Sequence, residues 1–324
     1  MTRTHLLTGL ALFGAFVIWR PAQATDTYPT RPIRVMVGFA PGGVADITIR
    51  VVGQHLSERL GQAVVIDNRP SAGGIIAAEA AATAAPDGYT LFFLTNGAAI
   101  SQSLFKKLPF DTVADFAPIS LIGRFDLVVV AAHDAPYANV GALIAAARAQ
   151  PGRISIGTVV PGSTQHLSAE LFKSMAGIET VTVPFRSSPA AIAALLSGEI
   201  QVGFEMLAPV KPQIEAGTLR ALAVTADHRF PDMPAVPTVA ESGLPDYQVA
   251  AWNALAAPAH TPPAVIEQLH DELAAVLAMQ DVRRALLDLG VEPGGSTPEA
   301  LHTMLVAEIA RWHTVIEHAG IEPQ

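Results

Sequence analysis

Short apolar runs alternate with helix-length amphipathic stretches along most of this chain. Residues 33–39 are apolar and β-branched and read as a strand, and 44–60 carries the spacing of a helix. Residues 64–67 give a second strand and 72–85 a second helix, closed by the turn Pro86-Asp87-Gly88. A third strand, 90–95, ends at Asn96-Gly97. The order β-α-β-α-β predicts a parallel sheet covered by helices. It continues with strands at 127–132, 154–158, 181–183, 202–204 and 221–225, and helices at 140–150, 164–176, 188–197 and 210–216. Three prolines in 230–237 mark a surface connection, and 251–256 is an apolar strand. The chain ends in helices. Val265, Ile266, Leu269, Leu273, Val276 and Leu277 share one helical face, and Leu301, Leu305, Ile309, Trp312 and Ile316 share another. Both stripes read as core, with Trp312 anchoring the last helix.

In an open α/β sheet, ligands gather where strands end and helices begin. Four loops in such places carry small polar residues: 41–46, 95–98, 160–166 and 185–189. The first is the most informative. In VMVGFAPGGVADITIR, residues 35–50, a strand stops at Pro41-Gly42-Gly43 and a helix starts at once. The first N–H groups of that helix have no partner within it, and the positive end of its dipole points the same way. A small anion fits there. Two such loops come from the first α/β unit and two from the second, which outlines a cleft for a small polar molecule.

Residues 1–24 have the form of an export signal. Arg3 and His5 open it, an apolar run covers residues 6–19, and Ala22-Gln23-Ala24 is a small-x-small cleavage site. The run of 14 residues is short for a membrane span, and no later stretch is long and apolar enough. The expectation is an exported, soluble protein without direct membrane insertion that starts near Thr25. Absence of cysteine excludes disulfides, thiolate metal sites, cysteine nucleophiles and a lipidated cysteine. Removing Arg3 and Arg20 from the 20 basic residues leaves 18 against 29 acidic ones, a net charge of −11. Such a surface does not suit nucleic acid or an anionic membrane. Anion capture must then come from local dipoles and hydrogen bonds.

Several blocks together resemble the Bug-type solute-binding receptors of tripartite tricarboxylate transporters. They are Tyr28-Pro29-Thr30-Arg31-Pro32-Ile33; Gly38-Phe39-Ala40-Pro41-Gly42-Gly43 with Asp46; residues 67–74, DNRPSAGG; residues 86–91, PDGYTL; and residues 237–245, PTVAESGLP, followed by Trp252 and Ala257-Pro258. The resemblance covers almost all of the mature chain. It implies an α/β, bilobed type II periplasmic-binding-protein fold joined by two crossover strands, which 121–129 and 251–256 fit. Lobe 1 would comprise 25–124 with 249–324, and lobe 2 would comprise 125–248. It also implies a ligand carboxylate held by main-chain groups and water rather than by arginine. The chain departs from the family pattern at Phe185-Arg186-Ser187-Ser188, where tyrosine, a basic residue and two small residues, often glycines, are common, at Pro189-Ala190, which reverses the usual order, and at Gln201 and Glu205, where aspartates are common.

Taken with the loops, the resemblance gives a candidate ligand site of Phe39, Ala40, Gly42, Gly43, Asp46, Thr95, Asn96, Gly162, Ser163, His166, Ser187, Ser188 and Glu205. Each has a plainer reading beside it. Asp46 either touches a ligand donor or water, or neutralises the helix start and fixes the loop; Glu205 meets the same repulsion from a bound carboxylate. Ser163, Ser187 and Ser188 are also natural helix caps, and Thr95 and Asn96 are also turn formers. His313 and Glu317 have metal-ligand spacing but no third ligand, and Arg69 reads as structural pairing. Ser163 with His166 lacks a G-x-S-x-G elbow and an orienting acid, which disfavours an exported hydrolase. The expected function is a periplasmic monomer, without metal or cofactor, that captures a small organic acid by hinge closure and delivers it to the membrane subunits of a tripartite transporter. A sensor of the same fold is the alternative.

Overall fold

The computed structural model describes residues 28–318 except 232, and 320–323; the expected export signal, 1–24, lies outside the described residues. The first α/β unit contains β1 (Ile33–Val37), α1 (Val44–Leu60), β2 (Val64–Asn68), α2 (Ile75–Ala82), β3 (Thr90–Thr95) and α3 (Asn96–Leu104). A long strand follows, β4 (Phe116–Ala132). The second unit runs α4 (Val140–Ala149), β5 (Ser155–Val159), α5 (Thr164–Ala176), β6 (Val181–Phe185), α6 (Ser188–Leu196), β7 (Val202–Met206), α7 (Leu207–Glu215) and β8 (Leu219–Val224). The chain then returns through β9 (Ala250–Pro258) to α8 (Pro263–Ala278), α9 (Gln280–Asp288), β10 (Val291–Pro293) and α10 (Pro298–His318).

The strand order is β2-β1-β3-β9-β4-β7-β5-β6, with β8 and β10 also paired to β4. β1, β2 and β3 are parallel, as are β5, β6 and β7, while β9 runs antiparallel to β3 and β4. β4 is the element common to both halves. Residues Phe116–Asp126 pair with β9 and β10, and Leu127–Ala132 pair with β7 and β8. Its 17 residues exceed the length of an ordinary strand.

Three apolar clusters pack these sheets. One lies between the first sheet and α1, α8 and α9, with Ile49, Val52, Leu269, Leu273, Val282 and Leu286 buried. One belongs to the second sheet, with Val128, Val130, Leu195, Val210 and Phe230. The third is continuous across both halves, from Phe92 and Leu94 through Leu127 and Val129 to Phe172, Tyr247 and Trp312. Trp312 is fully buried, and its Nε1 donates to Glu308 at 3.0 Å, so it does anchor the last helix.

The structure corrects several sequence expectations. The first strand stops at Val37, two residues early: its register with β2 ends at Val37 opposite Asn68, and the chain is exposed by Phe39. The helix expected over 72–85 opens as a 3-10 turn, since Gly73 and Gly74 sit at φ 61° and 70° and an α-helix cannot include them. No loop follows β3: Thr95 is the cap residue of α3, a helix the Asn-Gly signal concealed. The strand expected at 127–132 is only the last third of β4, and α9 and β10 went unread.

Polar contacts fasten the points where the chain passes between sheets. The buried Thr225 hydroxyl donates to Val249 O at 2.7 Å and accepts from Leu127 N–H at 3.2 Å. Thr225 therefore ties β4 to the segment entering β9. On the surface beside it, His228 meets Asp227 at 2.8 Å and Glu292 of β10 at 2.9 Å. Hydrogen bonds to these two acids raise His228 to about 9. Asp126, at the partner switch of β4, is 3 % exposed and its Oδ2 has no hydrogen bond in the chain. Burial raises its pKa to about 7, opposed by the charge of His228 and assisted by those of Glu292 and Asp227.

Two outcomes follow. Replacing Thr225→Val keeps the shape but strands the Leu127 N–H, and should lower the unfolding free energy by about 1–3 kcal/mol in urea titrations; an unchanged midpoint counts against the tie. Asp126 is protonated in the folded state at pH values where the unfolded chain is ionised. Its contribution is present at low pH and is lost as pH rises through about 7. Asp126→Asn should gain stability relative to the wild type between about pH 5 and about pH 8 in paired melting curves, and a constant difference across that range would refute the assignment.

Candidate ligand-binding site

Asp46 builds the first loop. It is 2 % exposed, one turn into α1. Its Oδ2 accepts from Gly42 N–H and Arg50 Nε, both at 2.9 Å, and its Oδ1 accepts from Asn68 Nδ2 at 2.8 Å. Asn68 Nδ2 also donates to Phe39 O, and Arg50 Nη2 donates to Asn68 Oδ1. Burial alone would raise the Asp46 carboxyl. The bonds from Arg50, Gly42 and Asn68, with the charge of Arg50, outweigh it and hold the group below the usual carboxylate range. The carboxylate is thus spent on loop order. What it holds up is exposed: residues 39–43 form an outward rim, with Phe39 42 % exposed. Gly43 is the cap residue of α1 and makes no side-chain cap, so the helix start is open.

The loop before α5 has a similar plan. The Ser163 hydroxyl donates to Val159 O at 2.6 Å and accepts from His166 N at 3.2 Å, which makes it a helix cap. His166 Nδ1 accepts from Gly162 N–H at 3.2 Å. Burial and Lys173 lower the His166 pKa against the pull of Glu170, so the ring is neutral near pH 7. Hydroxyl and ring are each engaged with backbone, so the arrangement a serine nucleophile requires is absent. Next to them the halves meet. Asn96 Nδ2, in the first turn of α3, donates to Thr164 Oγ1 at 2.5 Å, and both side chains are buried. Leu104, at the end of α3, lies against Gly162 so closely that a Cβ there would overlap it.

Glu205 closes the second half of the site from the end of β7, 1 % exposed. Ser188 Oγ donates to its Oε2 at 2.6 Å, whereas Oε1 makes no hydrogen bond of good geometry. Burial raises its pKa to about 7 against the bonds from Ser188, the Met206 N–H and the Gln165 amide. Ser188 is therefore turned to Glu205 and does not cap α6; Ser187 occupies the cap position, exposed, without a side-chain bond.

Sequence reasoning passed over three groups here. Thr164 and Gln165 are buried in the first turn of α5. Asn253, opposite Thr95 and Gly123 in β9, is 1 % exposed with both amide atoms unbonded in the chain. One asparagine inside AAWNALAAP was the available signal, since such a side chain needs a partner. Arg69 pairs with Asp67 at 3.1 Å, and His313 with Glu317 at 3.3 Å. A depression of about 450 Å³ lies elsewhere, beside Gln102, Lys106, Phe110, Asp111 and Asp115. Asp111 and Asp115 accept from nearby backbone N–H groups, so that depression offers less unspent polarity than the helix starts.

Two α/β halves, shared by one strand and meeting at helix N-termini, define a bilobed type II solute-binding fold. Comparison gives the family. The profile described as "Tripartite tricarboxylate transporter family receptor" matches residues 48–321, and the chain belongs to that family. Protein BugT of Bordetella pertussis is 35% identical over 322 residues, covering 99% of each chain. Among solved structures, the R. palustris protein Rpa4515 with adipate is 37% identical and superposes with a TM-score of 0.81, over 92% of this chain and all of that one. MatC of Rhodopseudomonas palustris with bound malate is 30% identical, TM-score 0.76, over 89% of this chain and 100% of that one. The family's receptors are periplasmic solute-binding proteins, and no helix among the described residues is long and apolar enough to cross a membrane.

The Gly43 helix start can be tested cleanly. A Cβ at Gly43 would meet nothing closer than Ala40 O at 4.0 Å, and its φ of −81° is open to any residue. Gly43→Val should melt within a few degrees of the wild type yet weaken carboxylate binding at least tenfold, read by calorimetry. Retained affinity would remove this helix start from the site.

Proposed function

We propose that the mature protein captures a small organic acid in the cleft between its lobes and presents it to the membrane subunits of a tripartite transporter. The observation that carries this reading is the meeting of two helix starts, α3 and α5, through Asn96 and Thr164, beside the exposed start of α1, which has no side-chain cap. Helix N–H groups and dipoles favour a carboxylate. In the candidate loops only Arg186 offers a guanidinium, so recognition falls to the main chain. Relatives solved with adipate and malate support the ligand class.

The rigid bodies of this mechanism are 25–124 with 249–324, and 125–248. They rotate about the crossings at Asp126–Leu127 and Val249–Ala250, and ligand bridging both lobes shifts the population toward the closed form. Phe39, Ala40, Gly42, Gly43, Thr95 and Asn96 act from the first body, and Gly162, Ser163, His166, Ser187, Ser188 and Glu205 from the second. Micromolar affinity corresponds to about −8 kcal/mol, within reach of a few charge-assisted bonds to a desolvated carboxylate. Export ends in cleavage after Ala24.

A thermal-shift screen over mono-, di- and tricarboxylates, amino acids and aromatic acids tests the reading. Ligand at about 100 times its Kd stabilises by about 2.7 kcal/mol, which should raise the melting temperature by about 5 °C or more. If no acid moves it, the proposal fails.

A further inference from the structure

The carboxyl of Glu205 keeps one buried oxygen without a hydrogen bond of good geometry. Ser188 from the first turn of α6 holds Oε2, the Met206 N–H and the Gln165 amide lie close to the carboxyl, and Oε1 is the buried oxygen left without a hydrogen bond of good geometry. Val128 of β4 is its neighbour across the sheet. The elements packed against β7 carry few titratable groups: Arg124 and Asp126 on β4, His166, Glu170 and Lys173 on α5, Lys211 and Glu215 on α7, and none on β5 or α6. Arg186 stands exposed in the loop before α6. None of these charges governs Glu205; burial does, and raises it to about 7.

We propose that Glu205 acts as a neutral carboxylic acid and donates its proton from Oε1 to a second carboxylate of the ligand, so that the site selects dianionic acids and takes up a proton when one binds. This rests on the receptor reading above and adds the chemistry of its second lobe. With Oε2 accepting from Ser188, the proton belongs on Oε1, the oxygen left open. Two ionised carboxylates side by side in a dry site repel. One shared proton turns the same pair into a short charge-assisted hydrogen bond. The proton comes from solvent whenever free Glu205 is ionised, so charge and protons balance. A monocarboxylate gives Oε1–H no anionic acceptor. A ligand ammonium would favour the ionised acid and release a proton rather than take one up.

The sign of the linkage is fixed. Binding is strongest where free Glu205 is protonated, and weakens as pH rises through about 7. The test is calorimetry of the mature protein with adipate, malate and hexanoate from about pH 6.5 to about pH 8.5, in two buffers of different ionisation enthalpy. Wild type should bind a dianion with up to one proton taken up, and its Kd should rise toward tenfold per pH unit above about 7. Hexanoate should bind more weakly, with a flat pH profile. Glu205→Gln, whose amide also donates, should keep the low-pH affinity within a few-fold and lose the pH dependence, while Glu205→Ala should lose tenfold or more. Dianion binding without proton uptake overturns the proposal alone, as does proton release with a preference for amino acids. Failure of every acid to bind at any pH overturns the receptor reading with it. If Glu205→Gln does not fold, judged by its own melting curve, the wild-type proton count decides.

Discussion

The structure depends on one strand serving two sheets. β4 is paired along its whole length, first with β9, joined by β10 at Gly123–Phe125, and then on both sides with β7 and β8. A buried strand must have its backbone groups paired throughout, so the change of partners at Asp126–Leu127 has to be sharp. It is made sharp by Thr225, whose main chain and hydroxyl both engage Leu127. Because the strand is continuous, the loops at the ends of β3 and β5 are held on the same edge of the molecule. The candidate site is a product of that alignment.

Polar groups left unpaired in the chain are concentrated along this axis. Asn253, Asp126, Thr158 and Glu205 lie on β9, β4, β5 and β7, each buried and each with at least one atom lacking a bond. An unsatisfied buried polar atom costs about 1–3 kcal/mol. A fold stable enough to carry several has a reason to keep them. For Glu205, the reason argued above is ligand recognition. Asp126, with His228, Asp227 and Glu292 around it, lies instead where the two sheets are tied at their surface.

Local features were legible in the sequence, and distant ones were not. α1, β3 and α5 were read with the bounds they have, because periodicity, a glycine stop and a capping serine are all contained within each segment. α3 was missed because it follows β3 without a linker and opens with Asn-Gly, a turn signal overridden by packing on the 3-10 turn of Ala72–Gly74 and on α10. β4 was cut short because Pro118, Gly123, Arg124 and Asp126 interrupt its apolar pattern, and bulges absorb the irregularity. α9 is short and mostly polar, with Val282 and Leu286 buried where it packs on α1, α8 and β10. Of the site, the glycine and serine loops could be named. The bonds Asn96–Thr164 and Ser188–Glu205 join residues 68 and 17 positions apart and needed the fold to be seen.

The cluster that crosses both halves also constrains how they can move. α10 packs on α3 and β4 and also touches α5 of the other half, with Trp312, Leu305 and Leu301 inside the shared apolar mass. The other two clusters stop at the border between sheets. The molecule is therefore welded along one flank and merely stitched along the other, where His228 and Glu292 meet in solvent. A close-packed interior does not stretch. Any pivoting of the halves about the Asp126–Leu127 and Val249–Ala250 crossings must therefore keep α10 seated on both halves, like a book whose spine is glued to one cover.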